Sequence, residues 1–125
     1  YAPRGLPRAE RELATAVVSI VNGCVYCTSV HARRFVELGK QEAVMRALLE
    51  RGIAAEGLDA RQRAIVDYSA KLTATPQAMT PADLAPLRAA GLSDLEILDL
   101  IHAVAMFANA NRLMQSLGRS VPPEE

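Results

Sequence analysis

Apolar residues recur along this chain at the three- and four-residue spacing of amphipathic helices, and no run alternates apolar and polar residues as a strand does. Leu13, Val17, Ile20 and Val21, for example, form one stripe. Glycines and capping residues divide the pattern into six predicted helices, over residues 7–22, 24–39, 41–51, 60–72, 80–91 and 93–117. The pattern predicts an all-α fold, a helical bundle of about six helices.

Several predicted helix ends carry residues that favour such ends. Gly23 follows the first helix, and Asp59 is a predicted N-cap of the fourth. Thr80-Pro81-Ala82-Asp83 opens the fifth helix, and Ser93-Asp94-Leu95-Glu96 is a capping-box sequence for the last. Residues 119–125 include two prolines and cannot continue that helix, so we expect a frayed tail.

The last predicted helix is apolar on more than one face. Such a helix is either central to the core or shared with a partner. We expect it to contribute a subunit interface in a homo-oligomer, and the central position stays open as the alternative. Its apolar residues are Ile97, Leu98, Leu100, Ile101, Val104, Ala105, Met106, Phe107 and Ala108.

Length and charge exclude several classes of protein. A chain of 125 residues predicts one domain, residues 1–125. Because Lys+Arg and Asp+Glu both number 14 and aromatics are only 4%, we expect no nucleic-acid partner. No apolar run reaches the roughly 20 residues of a membrane span, and no secretory signal is visible. We therefore expect a cytoplasmic protein without a membrane partner. The chain begins at Tyr1 rather than Met, which leaves an upstream segment open.

The two cysteines, Cys24 and Cys27, form a C-x-x-C motif. A bridge across two residues would stabilise the fold little, so redox activity or metal binding is the favoured interpretation over a structural disulfide. Cys27 falls in the first turn of the second predicted helix, where free backbone N–H groups favour a thiolate. We expect a lowered pKa and a nucleophilic thiol. A pair of ordinary small core residues remains the alternative.

Two further residues complete a candidate constellation. His31 lies four residues after Cys27, on the same helix face, where an imidazole could take or deliver the cysteine's proton. Glu12 lies on the preceding helix; if the two helices are antiparallel, it sits beside His31 and orients the ring. A core or surface histidine, and an acid favoured near a helix start, are the alternatives.

These residues resemble the signature of the alkylhydroperoxidase D (AhpD) family, a branch of the carboxymuconolactone decarboxylase-like superfamily. The signature is Glu12, eleven residues, Cys24-x-x-Cys27, three residues, and His31. The residues around it also match: Leu after the Glu, Gly before the first Cys, Tyr between the cysteines and Ala-Arg-Arg after the His. The distal stretch Phe-Ala-Asn-Ala-Asn-Arg, ending in Leu-Gly, is similar to the peroxidase-related branch.

The resemblance implies a homo-oligomer (dimer, trimer or hexamer) that reduces alkyl hydroperoxides with its thiols. It assigns peroxide attack to Cys27, resolution through a Cys24–Cys27 disulfide to Cys24, and a proton relay to His31 and Glu12. It implies no bound cofactor or metal, and a dithiol or lipoyl-type protein as reductant. Tyr26 stands where some members carry a second histidine. Decarboxylase members lack the cysteine pair, so decarboxylation is disfavoured.

Other functions of the same residues stay open. A disulfide reductase acting on a protein or lipoyl disulfide would use the same dithiol, and a non-enzymatic oligomer could sense oxidants with it. A zinc site would add His31 and His102 to the two cysteines, although the apolar stretch around His102 favours a core histidine. A thioredoxin-like fold is discarded because it needs strands.

Two polar residues of the last helix have an open role. Arg112 could pair with Glu12 of the same or a neighbouring subunit, or bind a substrate acid, or be a solvated charge near the helix end. We leave Arg112 and the adjacent Asn111 outside the catalytic set.

Overall fold

The computed structural model describes residues 5–118. It contains six α-helices and no strand within that range, which confirms the all-α prediction. The predicted tail, residues 119–125, lies outside the described residues. The helices are α1 (Arg8–Asn22), α2 (Val25–Gly39), α3 (Glu42–Arg51), α4 (Ala60–Ala74), α5 (Ala85–Ala89) and α6 (Asp94–Leu117), with 3-10 turns at Pro76–Ala78 and Pro81–Leu84.

Most helix ends follow the local signals. Gly23 ends α1 in the left-handed conformation, with φ of 69°. Asp59 and Ser93 accept hydrogen bonds from the backbone N–H groups of Gln62 and Glu96 and so cap α4 and α6.

The fifth predicted helix is shorter than residues 80–91. A 3-10 turn occupies Pro81–Leu84, and α5 itself has only five residues. Pro86 explains the difference, because it has no N–H to donate to the preceding turn and its ring crowds the carbonyl there. The helix therefore restarts with Pro86 in its first turn.

The helix at the centre of the core is α1. Eight consecutive α1 residues, 12–19, are buried, and α1 packs against α2, α4 and α6. It is antiparallel to α2, since the far end of α2 returns to Ala9 at the start of α1. It is parallel to α6, because Leu6 N–H, just before α1, donates to Asp99 and, thirteen residues further along the chain, Ser19 donates to Asn111.

One face of α6 stays exposed and apolar. Five of its side chains are between 44% and 85% exposed. Their spacing of three, four, seven or eight residues places them within about 100° of arc. The central position is thus taken by α1, while α6 has a second apolar face with no partner within the described residues. Those five side chains, the α6 stripe, are Leu95, Leu98, Met106, Leu113 and Leu117.

None of the helices within residues 5–118 combines the length and apolarity needed to cross a membrane.

Candidate active site

The connection between α1 and α2 positions the two cysteines. After Gly23, the Cys24 N–H donates to Ser19 O at 3.0 Å, which turns the chain back on itself. Cys24 is the N-cap residue of α2, and Cys27 lies in its first turn. Thr28 fixes this end, since its backbone N–H and its Oγ1 both donate to Cys24 O, at 2.9 and 2.8 Å. Both cysteines are reduced and buried, with exposures of 5% and 6%.

The environment of Cys27 keeps its thiol protonated. Burial is the main cause that raises its pKa to about 11, and a hydrogen bond with the Cys24 side chain adds to it. A backbone hydrogen bond at the start of α2 acts in the opposite direction but is the smaller effect. The predicted lowering of the Cys27 pKa is therefore wrong. A Cys27 thiolate would lose more hydration free energy in this buried site than the backbone hydrogen bond at the start of α2 restores.

His31 and Glu12 form a buried pair beside the dithiol. His31 Nδ1 lies 2.6 Å from Glu12 Oε2, across the α1–α2 contact. The two helices are antiparallel, which is the arrangement in which Glu12 was predicted to lie beside His31. Arg8 Nε lies 3.8 Å from the other carboxylate oxygen of Glu12. Phe107 of α6 packs its ring against that of His31, with centroids 4.7 Å apart and an angle of 72°.

The dithiol and the His31–Glu12 pair are neighbours on α2. Cys27 and His31 stand one helical turn apart, and no hydrogen bond joins the Cys27 sulfur to the His31 ring in the part of the chain described. A proton would pass between them through a water molecule or the substrate, or after a rotation of the thiol.

A groove of about 580 Å³ opens beside Cys24. Tyr26 is 57% exposed there. Cys24 faces the groove, and Cys27 contacts Met114 of α6, with 3.8 Å between the two sulfur atoms. The lining residues are Gly23, Cys24, Val25, Tyr26, Met114, Gln115 and Gly118.

Two predictions about the last helix need correction or completion. His102 is exposed, so it is not a core histidine. Within residues 5–118 no group of three His, Cys, Asp or Glu side chains is placed to hold a metal ion, which leaves the zinc alternative unsupported. Arg112 is exposed, and the guanidinium near Glu12 belongs to Arg8. Asn111 is fully buried and accepts a 3.3 Å hydrogen bond from Ser19 Oγ.

Sequence reasoning missed the contacts that α6 makes with the site. Phe107 was recognised only as an apolar residue and Met114 was not singled out, yet they touch His31 and Cys27. Their seven-residue spacing was the available signal, since it places both on one helix face. The face of α6 that turns towards α2 is set by how α6 packs against α1, and the spacing alone does not identify it.

The chain is similar to proteins of one family and to several solved structures. The model of the carboxymuconolactone decarboxylase family matches residues 1–65. No curated protein matches the sequence. An uncharacterized peroxidase-related protein from Silicibacter sp. TM1040 is 32% identical, with a TM-score of 0.80 over 89% of this chain and 58% of its own.

Two further structures share the fold. An uncharacterized peroxidase-related protein with an alkylhydroperoxidase AhpD core, from Ralstonia eutropha JMP134, is 27% identical, with a TM-score of 0.83 over 92% of this chain and 60% of its own. A protein of unknown function from Agrobacterium tumefaciens, described as a candidate AhpD antioxidant-defence protein, is 23% identical, with a TM-score of 0.81 over 96% and 82%.

The chain spans about 58% and 60% of the length of the first two structures. The third, at 23% identity, shows the fold alone. The family model covers just over half of this chain, including the C-x-x-C turn and the His31–Glu12 pair. The chain therefore belongs to the carboxymuconolactone decarboxylase family, as an AhpD-like member.

Proposed function

We propose that this protein is a thiol-dependent peroxidase that reduces alkyl hydroperoxides through a Cys24–Cys27 dithiol/disulfide cycle. The observation that carries the proposal is the reduced cysteine pair at the start of α2, one turn from the buried His31–Glu12 pair. Two of the similar structures are described as peroxidase-related proteins, which supports this class of reaction.

In the first step, the Cys27 thiol is activated and attacks the peroxide. Its raised pKa means that a base must remove the proton near neutral pH. His31 is that base, and Glu12 holds the ring and stabilises its charged form. The thiolate attacks the terminal peroxide oxygen and the O–O bond breaks. Cys27 becomes a sulfenic acid, and His31 returns the proton to the leaving alkoxide, which departs as the alcohol.

In the second step, Cys24 resolves the sulfenic acid. The Cys24 sulfur attacks the Cys27 sulfur, water leaves, and a Cys24–Cys27 disulfide forms. The placement of the two cysteines three residues apart at the start of α2 supports this pairing. An external dithiol or lipoyl-type protein then reduces the disulfide by thiol exchange from the groove, where Cys24 is reachable.

The protein acts as a homo-oligomer in this proposal, with the α6 stripe covered by a second copy of the chain. Five large apolar side chains on one face of a 24-residue helix support that arrangement.

The experiment is peroxide consumption by the purified protein with dihydrolipoamide as the dithiol donor. We expect turnover of cumene hydroperoxide that Cys27→Ser abolishes. Cys24→Ser should complete one turnover and leave a Cys27 sulfenic acid that dimedone labels. Ser29→Ala, on the exposed face of the same helix, is the matched control and should keep wild-type turnover.

Two results would contradict the proposal. Peroxide consumption that is equal in wild type and Cys27→Ser would exclude the dithiol cycle. Reduction of lipoamide disulfide without any consumption of peroxide would instead identify a disulfide reductase with the same two cysteines.

A further inference from the structure

A third sulfur atom stands beside the dithiol. The Met114 thioether of α6 lies 3.8 Å from Cys27 Sγ, and Met114 and Cys24 line the same groove. Cys24 is the N-cap residue of α2, and Cys27 follows three residues later in its first turn. Two thiols and one thioether, contributed by the two helices α2 and α6, therefore converge at one end of the bundle.

We propose that Cys24, Cys27 and Met114 form a binding site for a soft monovalent metal ion of the Cu(I) class. This site shares Cys24 and Cys27 with the proposed peroxidase cycle, but it requires neither peroxide nor the His31–Glu12 pair.

The spacing of the sulfur atoms fits a shared metal ion. Two sulfur ligands at roughly 2.3 Å from one ion, with trigonal or tetrahedral angles, lie about 3.8 to 4.0 Å from each other. The Cys27–Met114 separation of 3.8 Å falls at this value without movement of either helix. Two sulfur atoms in van der Waals contact are a similar distance apart, so this distance is compatible with a shared metal ion. The preference for one metal class comes from the three sulfur ligands.

The ligand set selects the metal class. Cysteine thiolates bind both Cu(I) and Zn²⁺, and the Met114 thioether, a soft ligand, favours Cu(I) of the two. His31 Nδ1 is engaged by Glu12 at 2.6 Å. Across the described residues, 5–118, no cluster of three His, Cys, Asp or Glu side chains provides a harder site. The groove supplies a path from solvent to Cys24 and Met114.

Binding involves no change of oxidation state. The ion forms bonds to both cysteine sulfurs, two thiol protons leave to solvent, and the Met114 sulfur donates a lone pair. The site requires the reduced dithiol, so metal binding and the Cys24–Cys27 disulfide exclude each other.

The test is a Cu(I) titration of the reduced full chain under anaerobic conditions, in competition with bicinchoninate. We expect one Cu(I) per chain, at least tenfold weaker binding in Met114→Leu, and loss of the site in Cys24→Ser. Met79→Leu, at the end of the Pro76–Ala78 turn, is the matched control and should bind as wild type. X-ray absorption should count three sulfur ligands in wild type and two in Met114→Leu, with thermal unfolding showing that each variant is folded.

Wild-type affinity in Met114→Leu, together with two sulfur ligands in the wild-type protein, would overturn the assignment of Met114. Absence of Cu(I) binding by the reduced wild type would overturn the site altogether. Neither outcome bears on peroxide turnover, which is measured without metal.

Discussion

His31 Nδ1 and Glu12 Oε2 are 2.6 Å apart across the contact between α1 and α2, although 19 residues separate them in the chain. Because an ionised carboxylate can only accept, the hydrogen of a neutral His31 ring belongs on Nδ1, and Nε2 is left as the acceptor. The packing of two helices thus selects the tautomer that a base acting on the Cys27 thiol requires.

Replacement of that carboxylate should weaken catalysis more than folding. We expect Glu12→Gln to reduce peroxide turnover about 10- to 100-fold, because a neutral amide no longer stabilises the charged imidazole. Steady-state peroxide kinetics at one fixed pH give kcat for both proteins. Glu10→Gln, on the same helix but paired with Arg61, is the control and should keep the wild-type kcat. An unchanged kcat in Glu12→Gln would remove Glu12 from the relay.

Thiol reactivity should report the buried environment of Cys27. With a pKa of about 11, its alkylation by iodoacetamide should be slow at pH 7 and should still be rising with pH above 9. The Cys27 pKa is raised because burial disfavours the charged thiolate. Site-resolved mass spectrometry gives the rate, and the same chain unfolded in guanidinium should titrate near the ordinary value of about 8.5. A rate that levels off below pH 8 in the folded protein would contradict this environment.

A side chain at Gly5 should destabilise the protein. A Cβ at this position would lie 1.7 Å from Asp99 Oδ2, the atom that accepts the Leu6 N–H at 2.9 Å. Gly5→Ala must therefore displace the carboxylate and break that hydrogen bond, which we expect to cost about 1–3 kcal/mol of unfolding free energy. Urea unfolding measures the change.

Gly39→Ala is the matched substitution for that experiment. Its Cβ would meet Ala9 at 3.8 Å, an ordinary contact, and Gly39 is the last residue of α2. We expect stability equal to wild type or higher by up to about 1 kcal/mol. Equal effects of the two substitutions would show that the contact with Asp99 is unimportant.

A charge on the α6 stripe should dissociate the proposed homo-oligomer. Leu98 is 49% exposed in the single chain, and Leu98→Glu would place a carboxylate inside a covered apolar face. Light scattering after size exclusion should give a multiple of 13.5 kDa for wild type and 13.5 kDa for the variant. Leu38→Glu, on exposed α2 surface, should leave the assembly intact. A monomeric wild type would exclude the oligomer.

The helices of this protein follow from short-range signals. Gly23, Asp59 and Ser93 end or begin helices through bonds to residues at most four positions away. Because such contacts depend only on nearby residues, five of the six helices could be located from them. The exception is α5. The sequence pattern predicts one helix over residues 80–91, but Pro86 interrupts it.

By itself the sequence also determined which residues carry the candidate chemistry, since the spacing of Cys24, Cys27 and His31 along one helix places them within two turns. Only the tertiary structure decided what surrounds them. Met114 reaches Cys27 from 87 residues away, and the burial that this packing creates reverses the expected direction of the Cys27 pKa. Hydration of a charge depends on every neighbour in space, and the neighbours that remove water here come from a helix whose orientation no local pattern encodes.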